Sequence, residues 1–250
     1  MPEPLVYMKD IQKDFGGKTA LDRADLSLYE GEILGLVGDN GAGKSTMLKV
    51  LSGVLNRNAG EIFMAGEKIH IDSPVHSRNL GIEMVFQDLS LCESLTVWEN
   101  VYLGRYAIRS AFKHLAPILD KREMARRTVD ALAEMGISLP DVGVPVRNLS
   151  GGERQAVAIC RCLLFHPRVI LLDEPTASMA HWEQQKVLEL VRAFKARGCS
   201  VIMVTHNLGQ LFQVADRTVV MREGRSIWQG AMTDLTQDDL VRMMFLGKQG

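Results

Sequence analysis

The chain is poor in the features that mark export, a bilayer or a disulfide framework. It has four cysteines in 250 residues, Cys92, Cys160, Cys162 and Cys199, and they show no metal-ligand spacing. We read all four as reduced thiols of a cytosolic protein. Cys160 and Cys162 stand two apart on an expected helix and therefore face different ways. Apolar runs are short, Val169 to Leu172 being typical, far below the length needed to cross a membrane. The start, Met1-Pro2-Glu3-Pro4, has neither a basic region nor an apolar core, so secretion is not expected. Neither sign of charge dominates, with Lys+Arg 29 against Asp+Glu 30, which argues against nucleic acid or an anionic lipid surface as partner. Repeats, low-complexity tracts and Pro/Ser linkers are missing as well. Hydrophobic residues make up 46% of the chain, enough for one large domain or for a core with a smaller lobe.

The most informative segment is Gly38-Asp39-Asn40-Gly41-Ala42-Gly43-Lys44-Ser45-Thr46, which follows the apolar run Ile33 to Val37. A buried strand, a glycine-rich turn and a helix opening at Lys44 is the setting that G-x-x-x-x-G-K-S/T requires. Glycines at 38, 41 and 43 let successive N–H groups point at phosphate oxygens where a β-carbon would hinder approach. The helix N-terminus adds partial positive charge. Lys44 can reach the β- and γ-phosphates, and the Ser45 hydroxyl can ligate Mg²⁺. The expected ligand is a nucleoside triphosphate.

Hydropathy predicts the order of elements. Strands are expected at Leu5 to Ile11, Ala20 to Tyr29, Ile33 to Val37, Glu61 to Ile71 and Ile82 to Phe86, forming in part a small antiparallel sheet beside the nucleotide. From Val97 to about Phe165 the chain is expected to be helical, with clear periodicity over Arg122 to Met135 and Glu153 to Leu164. Beyond His166-Pro167 the pattern is βαβ. Val169 to Leu172 and Ser200 to Val204 read as buried parallel strands. Between them a helix carries Val187, Leu190, Val191 and Phe194 on one face and stops at Gly198. Leu235 to Leu246 closes as an amphipathic helix. The expected class is an α/β core with a β lobe at the front and a helical insert.

Two further motifs carry chemistry. Val169 to Leu172 ends in Asp173-Glu174, and in a parallel sheet such strand ends line the ligand crevice. Asp173 would hold Mg²⁺, and Glu174 would take a proton from the water attacking the γ-phosphate; a solvated acidic turn is the plainer alternative. Leu149-Ser150-Gly151-Gly152-Glu153 has capping-box spacing. Two glycines just inside a helix cost up to about 1 kcal/mol each against alanine. They do expose N–H groups to a second phosphate-binding surface.

With these residues in view, the chain resembles the ATP-binding cassette (ABC) ATPases over essentially its whole length. Leu149 to Glu153 is similar to their signature motif and lies, as theirs does, between the phosphate loop and the Asp-Glu strand. The resemblance implies a P-loop, RecA-like core with an antiparallel β subdomain (residues 1–86 and 167–250) and an inserted helical signature subdomain (87–166). It also implies that Gln87 touches Mg²⁺ and the attacking water, and that His206 contacts the γ-phosphate. Phe15 would stack on adenine, with Tyr7 a weaker candidate. A head-to-tail dimer is implied, in which ATP on residues 38–46 of one subunit is clamped by Ser150 to Gly152 of another, identical or similar, cassette. The dimer would power a separate transmembrane permease at the cytoplasmic face of the inner membrane.

After Asp173-Glu174-Pro175-Thr176-Ala177-Ser178 the family usually continues Leu-Asp, whereas this chain has Met179-Ala180. Importers of ribose, xylose and fructose often share that loss. They are also similar at Gly38 to Gly41, Val101 to Arg105, Arg154 to Ile159, His206 to Leu208 and Val214 to Arg217. Monosaccharide import, fed by a periplasmic solute-binding protein, is therefore the expected function. An exporter or non-sugar importer would differ only in partner. A soluble cassette acting on DNA or ribosomes would need long heptad arms or a second cassette, and a GTP switch would need an Asn-Lys-x-Asp segment; the chain has none of these. The permease contact is expected within Asp88 to Phe165, first of all at Asp88 to Arg105.

Overall fold

The computed structural model describes residues 3–85, 91–109, 118–177 and 179–246. The chain runs through β1 (Val6–Phe15), β2 (Lys18–Leu28), β3 (Ile33–Gly38), α1 (Lys44–Leu51), β4 (Ala59–Met64), β5 (Glu67–Ile69), α2 (Pro74–Asn79) and β6 (Ile82–Val85). Next come α3 (Val97–Val101), β7 (Ile108–Arg109), β8 (Ile118–Leu119), α4 (Lys121–Glu134) and α5 (Gly151–Leu163). The last third holds β9 (Val169–Asp173), α6 (His181–Ala196), β10 (Ser200–Val204), α7 (Leu208–Val214), β11 (Arg217–Arg222), β12 (Arg225–Ala231) and α8 (Gln237–Leu246). Two compact units result, residues 1–86 with 167–250 and residues 87–166.

The first unit holds two sheets. One has the order β12-β11-β3-β10-β9-β6, with only the edge pair β11/β12 antiparallel. Its central strands β3, β9 and β10 are buried at every residue, as continuous apolar runs in a parallel sheet must be. The other sheet is antiparallel with the order β2-β1-β4-β5. Met47, Leu48 and Leu51 of α1 join Met8, Ile11, Leu26 and Leu36 in one core. The expected single strand over Glu61 to Ile71 is in fact two. Ala65 and Gly66 both take left-handed backbone, at φ 49° and 80°, and fold β4 back on β5. Alanine is not a residue from which such a turn is read.

The second unit packs α3, α4 and α5 around Val97, Val101, Met124, Leu132, Val146 and Val157. Thr96 and Glu99 close a capping box on α3, and Asp120 caps α4 by accepting from the Glu123 N–H at 3.1 Å. The stretch expected to be wholly helical also contains the short antiparallel pair β7/β8.

At the foot of the large sheet, Glu32 is buried and accepts from the Tyr29 N–H at 2.7 Å and from Arg217 Nη1 at 3.0 Å. The Arg217 guanidinium lies 4.7 Å from the Tyr29 ring centre and also donates to the Ser27 carbonyl at 3.2 Å. Burial pushes the Glu32 carboxyl above its ordinary value, and the Tyr29 N–H and Arg217 pull the other way. A carboxyl raised by the fold costs stability as pH climbs through its native pKa. Arg217→Met should leave this charge uncompensated and destabilise the protein by about 3 kcal/mol at neutral pH. Urea unfolding should show part of that loss recovered in mildly acidic buffer, where Glu32 is protonated.

Candidate functional site

Three strand ends define the site. In the parallel ladder Val204 of β10 stands opposite Leu36 of β3 on one side and Asp173 of β9 on the other. The segments that follow, residues 38–46, Glu174 and His206, therefore leave the sheet at one edge. This is the crevice position expected for a ligand on a parallel sheet.

The phosphate loop is shaped by its surroundings as much as by any ligand. Gly43 caps α1 in left-handed backbone, φ 101°, and a β-carbon there would lie 2.7 Å from the Ala20 carbonyl oxygen and 2.8 Å from Leu21 Cδ2. At Gly38 a β-carbon would collide with the Met221 carbonyl of β11. Two of the three glycines assigned to phosphate approach are thus already demanded by packing against β2 and β11. Lys44, 8% exposed, donates from Nζ to the carbonyls of Gly38 at 2.8 Å and Asp39 at 2.9 Å. Burial lowers its pKa, and the nearby charges of Glu174, Asp173 and Asp39 resist the shift. A cation held on two loop carbonyls is poised for an anion that would satisfy it better.

Ser45 Oγ donates to Asp173 Oδ1 at 3.0 Å. Asp173 is 6% exposed, and burial pushes its carboxyl up against the opposing Ser45 hydroxyl and the Lys49 charge. A hydroxyl and a carboxylate side by side form an all-oxygen donor set suited to Mg²⁺. That ion takes one or two carboxylates and fills its remaining positions with water and phosphate. Among the described residues no group of three His, Cys, Asp or Glu could hold a metal.

Glu174 has left-handed backbone, φ 49°, and its N–H donates to the Val204 carbonyl at 3.0 Å. His206 Nδ1 lies 3.2 Å from Glu174 Oε2, so acid and imidazole emerging from neighbouring strands meet. Phe15, at the end of β1, is 47% exposed, with Lys13 Nζ 5.1 Å from its ring centre. Tyr7 instead stacks on Phe63 at 6.1 Å, which accounts for that ring within the antiparallel sheet. Gln87 and Ser178 lie outside the described residues.

In the second unit Ser150 caps α5. Its Oγ accepts from the Glu153 N–H at 3.3 Å, and Glu153 Oε2 accepts from the Ser150 N–H at 2.8 Å. Ser150 and Gly151 are exposed, and a β-carbon on Gly151 would meet nothing within 4 Å. Packing within the chain gives no reason for that glycine. At the equally informative position 180, alanine is the N-cap of α6 and supplies no side-chain bond. Sequence reasoning missed a buried polar chain behind Glu174, in which Thr176 Oγ1 donates to Gln210 Oε1 at 2.6 Å. Thr176 stands in the Asp-Glu-Pro-Thr run and could have been noticed; nothing in the sequence marks Gln210.

Residues 21–177 match the ABC transporter family. The chain is 38% identical over 240 residues to a xylose/arabinose import ATP-binding protein of Sulfolobus acidocaldarius, covering 96% of this chain and 93% of that one. It is 38% identical over 249 residues to a fructose import ATP-binding protein of Rhizobium meliloti, covering 99% and 96%. A ribose import ATP-binding protein of Caldanaerobacter subterraneus subsp. tengcongensis is 38% identical over 242 residues, 97% of this chain but only 48% of the relative, so the chain spans about half of that protein. Among solved structures, a nucleotide-free ATP-binding cassette from an ABC transporter superposes with a TM-score of 0.79 at 27% identity, covering 92% of both chains. A dimeric cassette in a post-hydrolysis state with ADP and Pi gives 0.76 at 27% identity, covering 91% and 98%.

Asp173→Asn keeps the shape and still accepts from Ser45 while deleting a charge that the fold disfavours. Because burial holds the native pKa above the unfolded one, the ionised carboxylate costs stability at neutral pH, and the amide removes that cost. In calorimetry the nucleotide-free variant should melt above the wild type, each kcal/mol corresponding to about 2–4 °C for a chain of this size. A lower melting temperature would contradict the assignment.

Proposed function

The chain belongs to the ABC transporter family of ATPases, and from that premise we propose that it is the cassette that powers monosaccharide import through a separate membrane permease. The observation that carries the catalytic part is the convergence of residues 38–46, Asp173, Glu174 and His206 at one sheet edge. The sugar is supported by the names of the relatives, which match over nearly the whole chain.

In this reading the amides of residues 38–46 and Lys44 bind the β- and γ-phosphates of ATP, and Phe15 stacks on adenine, a contact of about 1–3 kcal/mol in other base-binding proteins. Ser45, Asp173 and Gln87 would hold Mg²⁺, which when bound offsets charge on the phosphate oxygens. Glu174 accepts the proton of the water that attacks the γ-phosphorus as the bond to the bridging oxygen of ADP breaks. His206 contacts the γ-phosphate and is oriented by Glu174. Ser150, Gly151 and Gly152 present the N-terminus of α5 to ATP held by a second copy, for which the open space at Gly151 is direct support. ATP then supplies differential affinity for the closed pair, and hydrolysis withdraws it.

The permease contact is proposed within residues 88–165, first of all at residues 88–105, which directly follow Gln87 in the chain. The cassette would lie at the cytoplasmic face of the inner membrane and draw its substrate indirectly from a periplasmic solute-binding protein. Among the described residues no helix is long and apolar enough to cross a membrane.

Two measurements test this. Lys44→Ala and Ser150→Arg proteins should each be inactive alone, and mixing them should restore ATPase activity, because one of the two pockets in a mixed dimer is then intact. Failure to restore activity would refute the shared pocket. The chain purified from membranes with its permease should show ATPase stimulation by a pentose or hexose in the presence of the binding protein; stimulation only by a non-sugar solute would reassign the cargo.

A further inference from the structure

The loop that carries Glu174 is tied to the turn that carries His206 by side chains to which no role is assigned above. Thr176 is 6% exposed, and its Oγ1 donates to Gln210 Oε1 at 2.6 Å. Gln210 is 4% exposed and donates from Nε2 to Gln184 Oε1 at 2.8 Å. Gln184 Nε2 donates in turn to the Met179 carbonyl at 3.0 Å.

The direction of this chain is fixed from its far end. A main-chain carbonyl only accepts, so the Gln184 amide nitrogen must face Met179, its oxygen must face Gln210, and Gln210 must offer its nitrogen there. The Gln210 oxygen is then left for the Thr176 hydroxyl, which has to donate. At position 210 an uncharged primary amide meets both demands, accepting from Thr176 and donating to Gln184. The Thr176–Gln210 bond is buried and the two bonds of Gln184 are half-buried, so leaving the first unmade would leave a polar group desolvated.

Two members of the relay, Thr176 and Gln210, stand in segments that carry groups assigned to hydrolysis. Thr176 is two residues past Glu174, whose φ of 49° is a left-handed conformation kept only where the surroundings over-determine it. Gln210 sits in the first turn of α7. Its N–H donates to Asn207 Oδ1 at 3.2 Å, and the Asn207 N–H donates to Thr205 Oγ1 at 3.0 Å, so both neighbours of His206 are fixed. Position 180 adds no side-chain anchor of its own, because Ala180 cannot cap α6. The backbone between Glu174 and α6 is held at Met179 by Gln184 and at Ala180 by the Glu183 carboxylate, and through the Thr176 side chain.

We propose that Gln210 is a positioning residue for ATP hydrolysis. Through Thr176 on one side and Gln184 with Met179 on the other, it holds the strained Glu174 loop and the His206 turn in one frame, so that carboxylate and imidazole keep their relative position. This builds on the reading of Glu174 as base and His206 as γ-phosphate contact.

The test uses steady-state ATPase kinetics of the intact chain. Gln210→Met and the isosteric Thr176→Val should each lower kcat roughly ten- to a hundredfold, the scale of a small misplacement of a catalytic group, with KM for ATP little changed. Thr176→Ser, which keeps the donor, should retain wild-type kcat. The double variant should be no worse than either single one, since both cut the same relay. Wild-type kcat in Gln210→Met, a loss expressed in KM alone, or losses that multiply in the double variant would each overturn the proposal. Glu174→Gln run in the same assay separates the two readings. If it turns over like the wild type, the assignment of the base fails. If it is inactive while Gln210→Met is fully active, only the relay fails.

Discussion

The site depends on the register of three parallel strands. Val204 of β10 lies opposite Leu36 and Asp173 at once, and from that alignment follow the Ser45–Asp173 bond, the anchoring of the Glu174 N–H on Val204 and the meeting of His206 with Glu174. A slip of one residue would turn every side chain of a strand to the opposite face. It would carry Asp173 away from Ser45 and replace a buried carboxylate by a leucine. The unbroken burial of β3, β9 and β10 is therefore more than a source of stability; it is what brings Ser45, Asp173, Glu174 and His206 out at a common end of the sheet.

That edge runs against local preference in several places at once. Lys44 and Asp173 are charged groups taken out of water, and burial shifts both toward their neutral forms. Glu174 has a backbone that a residue with a β-carbon rarely adopts. Such departures cluster at functional sites, where a bound ligand can relieve them. The Glu32–Arg217 pair at the opposite end of β3 and β11 is the contrast. There too burial raises the carboxyl, but its hydrogen-bond partners are a backbone N–H and a guanidinium already in the chain.

The sequence was legible where chemistry and periodicity agree. The run ending in Lys44-Ser45, the apolar strand before Asp173 and the capping box at Ser150 are local signals, and the elements they announce are present. Less visible were features made by distant residues. The split of Glu61 to Ile71 into β4 and β5 turns on left-handed backbone at Ala65, to which alanine gives no clue. Tyr7, the weaker of the two adenine candidates, is stacked on Phe63, a partner that no local signal announces. The amide of Gln210 matters through Thr176 and Gln184, each more than twenty residues away in the chain, and no spacing rule connects them.

The glycines separate two kinds of requirement. At Gly38 and Gly43 a side chain would strike β11 or β2, so those positions are explained by the fold even before a ligand is considered. At Gly151 a side chain would meet nothing, and in the first turn of a helix glycine costs up to about 1 kcal/mol against alanine. Among the described residues nothing packs against that position, which leaves it accessible to a group from outside the chain. An exposed helix N-terminus favours an anion, and bare backbone at Gly151 permits the approach that a methyl group would obstruct. The same chain offers a buried cation at Lys44 for the other face of such an anion, so its two half-sites are chemically complementary. A second copy can supply each with its counterpart.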